Sequence, residues 1–376
     1  MPGKQSCENE KALRSRKKTA TLVLRIVLGV LFIFSALIKL NDPMGLAFKI
    51  EEYLAQGLPG TEFSLSFIVD AAGTLITLEL ILGASLLLGR FKVFTLWTLL
   101  ALNAVFTLVT LYSAVTGAVP HCGCFGDAIV LSPWASLLKS LVAVAMIVTL
   151  ICWQRFIKPA VGFRTSMSVV ALLFAFSIGM IYYVLRHEPP MDFRPYKVGV
   201  DLHERHGADS GSGENRNIWT YRVEGEERQY RDSDEPWNIP GAEFVSRRNL
   251  RTGGVSSAAA DFSVTDARGS DCTDSLLALE RVWLITCYRI DQSETEAWEA
   301  IAALISRENT PAVVLADAAD PENLRRRYGI DAPVFFTDPT TLKTILRSNP
   351  GVVELRKGVI AAKRGIGDIA ALSPGN

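Results

Sequence analysis

His121, Cys122, Cys124 and Asp127 fall within one short stretch, HCGCFGD, in the gap between two long apolar runs. Two thiols separated by a single Gly can close into a disulfide, but the ring is small, strained and easily reduced. Gly123 supplies the backbone freedom that closure needs. A protonated His121 next to the pair would favour the thiolate. On this reading Cys122 and Cys124 are an exchanging pair and His121 tunes them. The same four residues are also chemically adequate metal ligands, although a one-residue gap between cysteines is not the two-to-four-residue spacing usual for zinc. A tight Gly-rich turn holding an inert cysteine pair is the third reading. All three stay open on residue types alone; the redox pair leads, and no metal is assigned.

The elements that must hold this stretch are written in the apolar pattern. The chain has 376 residues, no formal net charge and 49% hydrophobic residues, and the apolar residues are unevenly spread. Residues Ala20 to Leu185 are dominated by apolar runs, whereas Arg186 to Asn376 has the composition of a water-facing domain. A span of roughly 30 Å of hydrocarbon takes about 20 helical residues. Five segments meet that length: Thr21–Leu40, Ser66–Leu88, Val93–Val115, Pro133–Trp153 and Ser166–Leu185. No small-residue cleavage site follows the first, so it is expected to stay as a membrane helix rather than leave as a signal peptide. Balanced charge, with no basic stripe interleaved with aromatics, argues against nucleic acid as a partner.

Lys and Arg gather before the first segment and in the second-to-third and fourth-to-fifth connections, while Ala118 to Ser132 has none. The positive-inside bias therefore puts the N-terminus in the cytoplasm and, with five spans, the C-terminal half outside. Cys122, Cys124, Cys272 and Cys287 would then face the oxidising side. Ser132 and Pro133 have the chemistry of a helix start, N-cap followed by first-turn proline.

Charges inside a bilayer are costly and normally face the bundle interior with a partner. Glu79 sits near the middle of the second segment, Asn103 mid-way along the third, and Lys139 about 10 Å into the fourth at 1.5 Å per residue. Glu79 and Lys139 are the expected pair, either as packing glue or as a proton or quinone head-group site. Asp70 and Lys39 lie closer to the outer interface, where no special role is expected.

Beyond the spans, HEPPMDFRPYKVGVDL reads as a stiff spacer lying on the membrane surface. IWTYRVEGEERQYR alternates like a hairpin around Glu-Gly, and AEFVSRRN adds a strand. From Asp261 strands and helices alternate: DFSVTD, VWLITCY, a helix ETEAWEAIAALISREN, PAVVLAD, a helix DPENLRRRYG, APVFFTD, a helix TTLKTILRS, then a hairpin turning at Lys357–Gly358.

These stretches carry two resemblances. FIFSALIKLNDP, EEYL, Glu79 in LITLELILG, and CGCFGD resemble the DoxX-like membrane domains, and most closely the methylamine-utilisation MauE branch, over about Thr21 to Trp153. That resemblance implies a four-helix membrane domain that matures disulfide-rich extracytoplasmic protein, with quinone as the electron acceptor suggested by other DoxX relatives. Asp261 to Ile369 resembles a thioredoxin-like domain of the peroxiredoxin type, with Pro350 at its cis-proline position. One departure stands out: where a redox thioredoxin has Cys-x-x-Cys, TCYRID holds Cys287 alone. Cys287 is either a single working thiol resolved by Cys272 or a core residue of a binding module.

The fold expected is thus an α-helical membrane bundle followed by an α/β thioredoxin-like domain. Its parts are a basic cytoplasmic N-terminus (1–19), a DoxX/MauE-like domain (20–160), a fifth span (165–186), a Pro-rich spacer with a small β-rich region (187–260) and the thioredoxin-like domain (261–376). The expected setting is a bacterial inner membrane. The expected partners are membrane lipid and extracytoplasmic protein thiols or disulfides. The alternative is a non-catalytic assembly or anchoring protein. An alkaline phosphatase fused after Asn376 should be active and a cytoplasmic reporter at the same site inactive; the opposite pattern would reverse the orientation.

Overall fold

The computed structural model describes residues 2–57, 63–117, 126, 128–129, 131–204, 217–223, 225–231, 234, 236, 239, 241–249, 262–266, 270–290, 292–308, 310–316 and 321–370. The chain divides into two compact units, Met1–Val184 and Leu185–Asn376.

The first unit is helical: α1 (Pro2–Asn41), α2 (Pro43–Gly57), α3 (Leu65–Leu88), α4 (Lys92–Thr116), α5 (Pro133–Cys152) and α6 (Phe163–Arg186). Five of these helices are long and apolar enough to cross a membrane, as the sequence led us to expect. Their outward surface is apolar: Leu22, Ile26, Val30, Phe94, Leu108 and Leu172 are all exposed, as lipid-facing side chains should be. Inside, Leu28, Phe32, Leu82, Leu86, Leu96, Leu99 and Ile147 form one buried cluster from four helices. α1 and α3 approach closely because both are Gly at the crossing. A Cβ on Gly83 would stand 3.1 Å from the Gly29 carbonyl oxygen and 3.0 Å from Ile33, leaving no room for a side chain without separating the helices.

Helix α2 was not anticipated. Asp42 accepts a hydrogen bond from the Gly45 N–H at 2.9 Å and Pro43 opens the helix, so Asn-Asp-Pro is a start signal. Its buried Leu46 and Ala47 join Leu40, Ile68, Ala72 and Ile76 in a second cluster. The fifteen residues of α2 are too few to span the bilayer.

The second unit holds two sheets. Strands β1 (Asn217–Val223), β2 (Glu226–Arg231) and β3 (Glu243–Asn249) form an antiparallel sheet in the order β2-β1-β3, the hairpin plus one strand that alternation predicted. The larger sheet has the order β6-β5-β4-β7-β8, from β4 (Val282–Cys287), β5 (Ala312–Ala316), β6 (Val334–Phe336), β7 (Gly351–Arg356) and β8 (Val359–Arg364). β4, β5 and β6 run parallel; β7 and β8 are antiparallel. β4 is buried at every position, which is why it reads as a continuous apolar run. Trp283, Ile285 and Cys287, alternate residues of one face, pack with Trp298 and Ile301 of α8 (Thr295–Arg307) and with Leu324 and Tyr328 of α9 (Pro321–Tyr328). Helix α10 (Pro339–Ile345) packs on β4 and β5, and α11 (Ile366–Ala370) on α8. The short helix α7 (Thr273–Leu277) and α11 were not foreseen, being single-turn elements with little periodicity to read. DFSVTD is not a full strand: Thr265 alone bridges to Phe336 at the β6 edge. The Asn349–Pro350 peptide is cis, at the position expected.

The Pro-rich stretch is not a free-standing spacer. It docks on this sheet: the Gly199 N–H donates to the Ile360 carbonyl at 2.8 Å, and the Ile360 N–H to Val200 at 2.9 Å. Asp192 pairs with Arg194 at 2.7 Å and with Lys363 of β8 at 2.8 Å, while Arg194 also pairs with Glu188. Arg194 is 2% exposed. Burial works against the Asp192 carboxylate, but Arg194 and Lys363 outweigh it and hold the carboxyl at about 2. On Lys363 the balance is reversed, with burial and the Arg194 charge prevailing over Asp192 and Glu188, so the ammonium lies at about 8.

The two linkages have the same sign, because each group binds more protons in the unfolded chain within its own pH window. Asp192 contributes stability above the ordinary aspartate value near 4, lost as pH falls toward 2. Between pH 8 and 10.5 the unfolded chain binds more protons at Lys363 than the folded one, so stability rises with pH across that window. Lys363→Met should abolish the alkaline rise, followed by Trp283 and Trp298 fluorescence in denaturant titrations. Asp192→Asn should cost about 3 kcal/mol or more at neutral pH, since it leaves buried cations short of a carboxylate.

Candidate functional site

Within the membrane unit, Lys39 of α1 and Glu79 of α3 form an ion pair at 2.5 Å. Both are buried, at 4% and 5% exposure. The Cα–Cβ bonds of a helix tilt toward its N-terminus, so the Lys39 side chain runs back along α1. There its ammonium also donates to the Ser35 hydroxyl one turn earlier, at 3.1 Å. The same ammonium lies 5.4 Å from the centre of the Phe106 ring on α4, a cation–π contact. Three helices thus meet at one charge pair.

The partner of Glu79 differs from the one the sequence suggested. Lys139 stands half-buried on α5, and α5 packs against α4 whereas α3 packs along α1. The pairing with Lys139 rests only on both charges lying inside spans; helix adjacency, which the sequence does not encode, favours Lys39. Asn103, buried on α4, donates to the Ser140 carbonyl of α5 at 2.9 Å, the interhelical hydrogen bond expected of a mid-span amide. Thr77 and Ser177 similarly join α3 to α6 at 2.7 Å.

His121, Cys122, Cys124 and Asp127 lie outside the described residues. What stands on either side of them is described. α4 stops at Gly117, whose φ of 66° is the left-handed conformation of a helix C-cap. α5 starts at Ser132, whose hydroxyl accepts from the Ala135 N–H at 3.3 Å, ahead of Pro133. Gly126, two residues past Cys124, lies against α1: a Cβ built on it would be 3.8 Å from Ile38, the neighbour of Lys39. Among the described residues no group of three or more His, Cys, Asp or Glu is arranged to hold a metal ion.

Cys272 and Cys287 are not disulfide-bonded. Cys287 is fully buried in the core under α8. The backbone after it is held by Asn349, whose side-chain oxygen accepts from the Tyr288 and Arg289 N–H groups at 3.0 and 3.3 Å. Its amide donates back to the Arg289 carbonyl at 2.6 Å. Cys272 is half-buried, and burial together with the Asp266 and Asp271 charges raises its thiol above the usual value, the Asp266 backbone N–H opposing them. Neither position has the electropositive, accessible surroundings of a reactive thiol.

Five apolar spans with polar contacts between helices define a multi-pass membrane protein carrying a mixed α/β unit. Residues 17–154, a little over a third of the chain and four of the five spans, match the model of the family described as Methylamine utilisation protein MauE. Comparison with curated proteins and with solved structures gave no match.

Removing one member of a buried pair costs about 3–5 kcal/mol because the other charge is stranded. Lys39→Met and Glu79→Gln should each lower the melting temperature of the purified protein sharply, and the double variant should lose less than the two losses added. Additive losses would mean that the two side chains do not interact.

Proposed function

We propose that this chain is an integral membrane protein of the methylamine-utilisation type that exchanges disulfides with extracytoplasmic partner proteins through Cys122 and Cys124. The observation that carries the reading is the buried Lys39–Glu79 pair on α1 and α3, with Gly126 of the cysteine stretch against Ile38 beside it. A buried charged pair inside the bundle supports a proton-handling role alongside the thiol exchange. In the exchange a partner dithiol becomes a disulfide while the Cys122–Cys124 disulfide becomes two thiols. Re-oxidation passes two electrons and two protons to a membrane quinone, which leaves as the quinol. His121 favours the attacking thiolate. Glu79 and Lys39 are the residues we assign to proton exchange with a quinone head group, and Lys139 is the further candidate for that role. The positive-inside bias supports a cytoplasmic N-terminus, a bacterial inner membrane setting and an outward-facing second unit.

The second unit is read as thioredoxin-like: β5-β4-β7-β8, with β4 and β5 parallel and β7 and β8 antiparallel, is the strand arrangement of that fold. A specific observation favours its use as a binding module rather than a second redox centre. Cys287 is fully buried, and Asn349 holds the backbone where the resemblance would place a second cysteine. The anchoring function weighed against catalysis is therefore assigned to this unit and disulfide exchange to the membrane unit.

Thiol trapping in membranes tests the division of labour. Cys122→Ser or Cys124→Ser should accumulate a mixed disulfide with a partner on non-reducing gels, and the double variant should not. Cys272→Ser and Cys287→Ser should leave trapping unchanged. Absence of adducts in both single variants, with full cellular activity in the double variant, would remove the exchange function.

A further inference from the structure

Toward the opposite end of α1 from Lys39, the membrane unit holds a cavity of about 890 Å³ between the early turns of α1 and the α5–α6 connection. Its charge is one-sided. Arg14, Lys17, Lys18 and Arg25 reach it from α1, and Arg155 and Lys158 from the connection, against a single acidic residue, Glu10. Among the described residues none of the six cations is engaged in an ion pair.

Arg25 is the built part of the wall. It is 8% exposed, and its guanidinium is fixed by donating to the Lys158 carbonyl at 2.8 Å and the Leu87 carbonyl at 3.2 Å. Its Nε is buried with no hydrogen-bond partner. The remaining wall is mostly apolar, with Leu13, Leu22, Phe156 and Ile157 beside Thr21.

Cations concentrated around an amphipathic hollow of this size match a tetrahedral anion with several acceptor oxygens and a carbon-bearing substituent. The cavity lies on the face rich in Lys and Arg, where basic pockets between membrane helices meet phospholipid head groups. We propose that this cavity binds a phosphate group, presented by an anionic phospholipid or free in solution.

The test uses the full chain in phosphatidylcholine nanodiscs, titrated with phosphatidylglycerol or with inorganic phosphate, reading bound probe and melting temperature. Lys18 and Arg155 are exposed, so Lys18→Gln/Arg155→Gln should fold. Arg16 and Arg164 are also exposed and do not line the cavity, so Arg16→Gln/Arg164→Gln is the control with equal charge loss. We expect saturable binding, weakened about tenfold or more by the cavity variant and little by the control. Phosphatidylglycerol binding that millimolar phosphate does not displace makes the lipid the source; saturable stabilisation by phosphate alone makes it the free anion. Saturation by neither probe, or equal weakening by both variants, would overturn the proposal.

Discussion

An ammonium and a carboxylate inside a bundle surrounded by hydrocarbon have two stable arrangements: together, or reached by water. Lys39 and Glu79 are together, and that single requirement organises the membrane unit. It sets the rotation of α1 against α3, which the Gly29–Gly83 crossing then permits at close range. It also brings Phe106 of α4 over the ammonium, so a third helix is located by the same charge. The pair has little slack. Lys39 is extended back along its own helix to Ser35, and Glu79 is buried on α3. Thr77–Ser177 and Asn103–Ser140 repeat the principle with neutral groups, joining α3 to α6 and α4 to α5.

The spans were legible because uninterrupted apolar length is a strong signal, and four of them fall inside the MauE family match. The strands β4 and β5 were legible for a related reason: a strand buried on both faces is apolar throughout. What depended on which elements become neighbours was not legible. Glu79 advertised a buried cation without saying whose, and Lys39, near a helix end, looked free to reach the interface. Asp192 and Arg194 looked like surface residues of a spacer, since nothing local in DFRPYKVG announces Lys363 far downstream on β8. α2 was missed although Asp42-Pro43 is a start signal, because attention to span length hides a helix too short to cross. The cysteine stretch was conspicuous by composition alone, and its His121, Cys122, Cys124 and Asp127 lie outside the described residues.

The two units solve the burial of charge differently. In the second unit the Asp192–Arg194–Lys363 group ties the segment after α6 to the edge strand β8, with the Asp192 carboxyl and the Lys363 ammonium both held below their ordinary values. In the membrane unit the charges are sorted by depth: a neutralised pair inside, and an excess of cations around the cavity at the early turns of α1.

Charge reversal tests the organising pair most directly. Lys39→Glu and Glu79→Lys each put two like charges together in the bundle, and neither should yield a folded, monodisperse protein in detergent. Lys39→Glu/Glu79→Lys restores an attractive pair between α1 and α3 and should recover most of the wild-type melting temperature. A double variant no more stable than either single one would mean that the pair does not hold the two helices in register.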